Sequence, residues 1–263
     1  MKSNKKLSLI FSLLLIFFSV IYYGCGTDDV TTTPVGPPPS IRMTPGSTYD
    51  FTYDSLTATT AVIRLGRTSH DVVQPSVVFT GKTCFPIYST TKDSTGATIS
   101  VDTNYYSYDS TAGKFYQYGI SKFINPASGN PTWDLVADFS VSMGTTWNIG
   151  TVNYVVNIGG TPYTFTGPLT AKVAEQTTIQ TTGVPSQSIN CYRIELYTHL
   201  NSNPPGVTAD IYVDYYLGYS SSSTNPAGLV ELKLRPFNFM TSGTVLVSEP
   251  GDDRRLRNFT IAP

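Results

Sequence analysis

From residue 48 onward, apolar and polar residues alternate along the chain. Tyr49, Phe51 and Tyr53 fall on one face of an extended segment, and Thr48, Asp50, Thr52 and Asp54 fall on the other. Successive side chains of a strand point to opposite faces, so this period of two is a strand signal. Val152, Tyr154, Val156 and Ile158 alternate in the same way with Thr151, Asn153 and Asn157, and Val230, Leu232 and Leu234 with Glu231, Lys233 and Arg235. Helical period is nearly absent. Further strands are expected near 58–65, 71–80, 84–90, 97–108, 114–119, 132–141, 161–179, 188–199, 208–217 and 243–248. Turn chemistry such as Asp93-Ser-Thr-Gly96, Gly159-Gly160 and Asn203-Pro-Pro-Gly206 separates them. The pattern predicts an all-β domain over 48–263: an antiparallel meander forming a curved half-barrel or a two-layer sandwich.

The first 24 residues break this pattern. Lys2, Lys5 and Lys6 precede an uncharged, largely apolar run from Leu7 to Tyr23, followed by Gly24 and Cys25. A charged head and an apolar stretch make an export signal, which is excluded from the fold. The Gly24-Cys25 junction resembles the bacterial lipoprotein signal (lipobox), and that resemblance implies cleavage before Cys25 and a diacylglycerol on its thiol. The alternative is an uncleaved anchor, since the run approaches the lower limit for a spanning helix. Residues 25–47, with Thr31-Thr-Thr-Pro34 and Gly36-Pro-Pro-Pro39, read as an extended tether. The expected address is the cell envelope, at the outer membrane, with the membrane as a partner through Cys25.

Composition narrows the chemistry. Only 13% of residues are charged, and removing 1–24 takes away three lysines and no acid, leaving a net charge near −4. Neither that balance nor any Lys/Arg run suits a nucleic-acid partner. Arg254, Arg255 and Arg257, offset by Asp252 and Asp253, read as a solvated turn. Cys84 and Cys191 are the remaining thiols in an oxidising compartment, and a bridge between them or two buried free cysteines are both open.

Gly144-Thr-Thr-Trp147, Pro168-Leu-Thr-Ala-Lys-Val173, Ser188-Ile-Asn-Cys-Tyr-Arg-Ile194 and Asp214-Tyr-Tyr-Leu-Gly218 through Gly228-Leu-Val230 follow an order that resembles the curved-sheet outer-membrane lipoprotein carrier and receptor group. The likeness spans 144–234 and implies a concave apolar groove. Val152, Tyr154, Val156 and Ile158, with Tyr192, Ile194 and Leu196, are expected to line it, and the aromatic first half to cover it as a second β layer.

No segment has the glycine-flanked serine of a nucleophile elbow, and none has the paired Cys or His spacing of a metal site. No catalytic residue, metal or cofactor is therefore expected. His70-Asp71 are strand neighbours and should point to opposite faces. Asp134, Asp138, Glu175, Glu195, Asp210 and Asp214 could converge only through the fold, and Asp210, Tyr212, Asp214 and Tyr216 should share one face. The leading expectation is a tethered, non-enzymatic module that binds an apolar or amphipathic ligand or another envelope protein. A structural or adhesive module and a carboxylate-based glycan hydrolase are the alternatives.

Overall fold

The computed structural model describes residues 39–120, 130–219 and 226–263. The export segment, Cys25 and most of the expected tether lie outside these residues. All the elements described are strands. The first half supplies β1 (Thr48–Leu56), β2 (Val62–Val73), β3 (Val77–Phe79), β4 (Lys82–Lys92), β5 (Thr98–Asp109), β6 (Lys114–Tyr118) and β7 (Trp133–Asp138). The second supplies β8 (Thr146–Ile158), β9 (Thr161–Gln180), β10 (Ser188–Asn203), β11 (Thr208–Gly218), β12 (Gly228–Leu234), β13 (Phe237–Thr241), β14 (Thr244–Glu249) and β15 (Gly251–Thr260).

The strands form one antiparallel sheet in the order β7, β6, β5, β4, β2, β1, β15, β12, β11, β10, β9, β8, with β3 beside β4 and a β13–β14 hairpin on β11. The all-β antiparallel expectation holds, but β15 breaks the meander. It pairs with β1 from Thr48↔Thr260 to Leu56↔Gly251 and with β12 from Glu231↔Arg255 to Leu234↔Asp252. The last strand thus joins the two halves into a single sheet. Its terminal strands also approach each other, since Trp147 Nε1 of β8 donates to the Leu135 carbonyl of β7 at 2.9 Å. The sheet is therefore nearly closed into a barrel, which removes most of the exposed edge that an open sheet would leave.

Inside it, the first half faces the second. Phe139 meets Tyr192 with ring centroids 4.8 Å apart, and Phe115 meets Tyr215 at 6.5 Å. Phe51, Phe115, Phe165, Phe239, Ile194 and Leu196 are fully buried there. Each large apolar side chain so enclosed contributes about 1.5–3 kcal/mol relative to exposure.

Part of the expected tether belongs to this core. Ile41 and Met43 are buried, Tyr108 donates to the Pro39 carbonyl at 2.5 Å, and the Ala262 amide donates to Ser47 Oγ at 3.0 Å. The packed domain therefore starts by residue 39 rather than 48. Proline-rich composition masked two apolar residues whose burial outweighs the local preference for an extended, solvated chain.

The registers also define two ends. The N-terminal segment packs near Tyr108 and Gly228, at the entry end. The β1–β2, β4–β5 and β8–β9 turns and the β13–β14 hairpin lie at the other, here the distal end.

Candidate functional site

The residues expected to line a groove divide by strand. Tyr192, Ile194 and Leu196 of β10 are enclosed in the core, where the first half covers them. On β8, Val152 is buried, Val156 and Ile158 are half-buried, and Tyr154 is exposed. The difference has a simple cause: β8 is the terminal strand, and its distal half pairs with β9 alone. Cys84 and Cys191 do not form the considered bridge. Both are free, buried thiols, one in β4 and one in β10, and their Sγ atoms face the carbonyls of Val77 and Ile189 respectively.

Alternation brings three of the candidate carboxylates, Glu175, Glu195 and Asp214, together on the outer face of β9, β10 and β11. Arg193 reaches Glu175 at 2.7 Å, Asp214 at 2.9 Å and Glu195 at 3.3 Å. Arg235 reaches Asp214 at 2.6 Å and Glu195 at 3.1 Å, and Lys172 reaches Glu195 at 2.7 Å. Burial opposes the charge of Asp214 and Glu195, but these cations prevail and hold both carboxyls below their ordinary range. A general acid needs the opposite shift, and the acids here are held in an ion network. Farther along the same face, Asp210 accepts hydrogen bonds from Tyr197 at 2.6 Å and lies 2.9 Å from His199 Nδ1. Bonding to that carboxylate, with burial second, pushes the Tyr197 hydroxyl up to about 12. His70 is exposed and pairs with Asp50 at 2.7 Å, while its neighbour Asp71 points inward.

The C-terminal arginines are not a solvated turn. They lie on β15, at the centre of the sheet, and alternate across it. Arg254 points into the barrel with 12% of its side chain exposed. Its Nη2 contacts Asp71 at 2.5 Å, and its guanidinium lies 4.1 Å from the Phe51 ring centroid. Ser89 donates to the other Asp71 oxygen at 2.6 Å. Arg255 points outward, where a single Nη2 lies 3.0 Å from both Glu231 and Asp253. Burial pushes both of these carboxyls up, with Arg255 opposing. Nothing in the sequence marked the pair, because the two acids lie on strands that are neighbours in the sheet but separated along the chain, and each looked like a solvated position of a local pattern. Among the described residues no group of three or more His, Cys, Asp or Glu side chains is placed to hold a metal ion.

Exposed apolar residues concentrate at the distal end. Val62, Ile63 and Leu65 of β2 and Ile99 and Val101 of β5 all reach solvent, with Val101 at 70% exposure. Tyr154 and Val155 of β8 and Val245 and Leu246 of β14 join them. Here β2 and β5 extend past the core, so residues on both of their faces are uncovered. Single exposed apolar residues are ordinary, and here nine of them share one end of the barrel.

No protein-family model matches the chain, and no curated protein matches it. Two solved structures resemble it. A protein of Parabacteroides distasonis, described as a candidate lipoprotein, is 9% identical with a TM-score of 0.49, over 84% of this chain and 97% of that one. A candidate exported protein of Bacteroides fragilis, described as having a YmcC-like fold, is 9% identical with a TM-score of 0.45, over 84% of this chain and 100% of that one.

Proposed function

We propose that this chain is an exported, lipid-anchored protein of the cell envelope, at the outer membrane, whose barrel binds an apolar or amphipathic ligand or another envelope protein without catalysis. The apolar distal end carries the binding part of the reading, because uncovered Val, Ile and Leu side chains gain free energy when a partner removes them from water. The address rests on the basic head, the apolar run and Gly24-Cys25.

Two measurements test this reading. Metabolic labelling with a fatty acid is expected to mark the protein, and Cys25→Ser to abolish both label and membrane retention; equal retention without the label would favour an uncleaved anchor. For binding, a photo-crosslinking residue at Val101 is expected to capture an envelope component. The same probe at Val184, which is 97% exposed in the turn after β9 at the entry end, is the control. Equal capture at the two positions, or none at Val101, overturns the distal end as the binding surface.

A further inference from the structure

We propose that the outward aromatic cluster of β3, β5, β6 and β7 is a saccharide-binding site, on a different part of the barrel from the apolar distal end. Phe79 and Lys82 are cross-strand neighbours flanking the turn between β3 and β4, and they lie over β5 and β6. Phe79 stacks on Tyr105 with centroids 4.1 Å apart and planes 3° apart. Tyr118 meets Phe79 edge-on at 5.0 Å and Trp133 at 5.4 Å, and Trp133 Nε1 donates to the Phe79 carbonyl at 3.3 Å. Lys82 Nζ sits 3.7 Å above the Tyr116 ring. Strand alternation separates this cluster from the core, since Tyr106 and Phe115, the intervening neighbours, are the residues that point inward.

Two observations select the ligand class. The rings of Phe79, Tyr105, Tyr116, Tyr118 and Trp133 are all half-buried; Phe79 covers Tyr105 and Lys82 covers Tyr116, so Phe79, Tyr118 and Trp133 are the rings offered to a ligand. The hydroxyls of Tyr105, Tyr116 and Tyr118 make no hydrogen bond with any described residue. A purely apolar partner would cover those hydroxyls without pairing them, at a cost of about 1–3 kcal/mol each. A sugar ring meets both needs: its C–H face packs on an aromatic ring, and its hydroxyls bond phenol and ammonium groups at the edge. The platform is also tied together within the described residues. Thr80 and Gly81, with φ of 43° and 80°, form the tight turn that sets Phe79, and Trp133 is tied to the Phe79 backbone. Little conformational freedom remains to be lost on association.

The test uses residues 39–263 and two neutral probes, chitohexaose and maltohexaose. Trp133 and Trp147 are the only tryptophans, so fluorescence titration reports on the cluster directly. At least one probe is expected to change the emission saturably. Trp133→Phe is expected to remove most of the response. Competition calorimetry with Tyr118→Ala should show affinity lowered about tenfold, while Tyr118→Phe, which keeps the ring and loses only the hydroxyl, should show a smaller loss. Trp147→Phe, which changes the tryptophan bonded to Leu135, should leave affinity unchanged. The urea midpoint of each variant separates lost binding from lost folding. Absence of heat and emission change with both probes at millimolar concentration overturns the proposal. So does undiminished affinity in a folded Tyr118→Ala protein.

Discussion

Arg254 and Arg255 are adjacent in sequence, yet they serve opposite faces of β15. Inside, Arg254 offsets Asp71 in a site lined by Phe51 and Tyr53, where either charge alone would carry a large desolvation cost. Outside, one guanidinium nitrogen serves two buried carboxylates, so Glu231 and Asp253 are under-compensated at neutral pH. The pH consequences run in opposite directions for the two carboxylate clusters. Glu231 and Asp253 have folded-state pKa values raised by burial, so their contribution is present at acid pH and is lost as pH rises through those values. Asp214 and Glu195 are held low, so their contribution is present above the ordinary carboxylate range and is lost as pH falls. Relative to the parent, Glu231→Gln is expected to gain thermal stability as pH is raised from about 4 to about 7. Asp214→Asn should instead lose its disadvantage only in a more acid window, below about pH 4. Melting curves across that range decide the matter, and parallel curves for Glu231→Gln and parent would show that its carboxyl titrates normally.

At the scale of elements, β9 and β10 form the longest ladder in the sheet, and Gly167 marks where it is interrupted. Pairing passes from Thr198↔Leu169 to Asn201↔Thr166, skipping the residues between. A Cβ built on Gly167 would lie 2.0 Å from the His199 carbonyl oxygen. Backbone is what it would strike, so neither strand could yield without breaking pairs. Gly150 on β8 is a contrasting case, because a Cβ there meets no heavy atom within 4 Å. Gly167→Ala is expected to cost about 1–3 kcal/mol in urea unfolding, and Gly150→Ala to be neutral or stabilising by up to about 1 kcal/mol. Similar costs at the two sites would mean that the close approach on β9 is relieved by a small shift of the chain.

For the whole molecule, the barrel depends on β15 and on the segment ahead of β1. β15 links the halves, and residues 39–47 bring Ile41 and Met43 into the core while Ser47 accepts from Ala262 near the last strand. A protein beginning at Thr48 is therefore expected to be less stable than one beginning at Pro39 by about 2–5 kcal/mol, because two buried apolar side chains are lost at once. Ile41→Asp in the longer protein should reproduce much of that loss, since it places an unpaired carboxylate among apolar neighbours. Denaturant midpoints for the three proteins check this. Equal midpoints would show that the segment packs without contributing to stability.

Local alternation was enough to determine the class of fold. Tyr49-Phe51-Tyr53, Ile194-Leu196 and Leu232-Leu234 carry their orientation in a period of two, and Gly159-Gly160 carries its turn in the freedom of glycine to adopt positive φ. The same alternation indicated that His70 and Asp71 would face apart and that Asp210, Tyr212, Asp214 and Tyr216 would share a face. What it could not contain was the identity of neighbours across the sheet. Pairing β15 with both β1 and β12 turned a run of arginines and aspartates into the centre of the barrel. Near-closure enclosed β10 while leaving the distal half of β8 open, and it kept Cys84 and Cys191 as separate buried thiols. The convergence of Glu231 with Asp253, of Arg254 with Asp71, and of Phe79 with Trp133 has the same origin. Each joins residues on strands far apart in the chain, and only the order and register of the closed sheet bring them within a few ångströms.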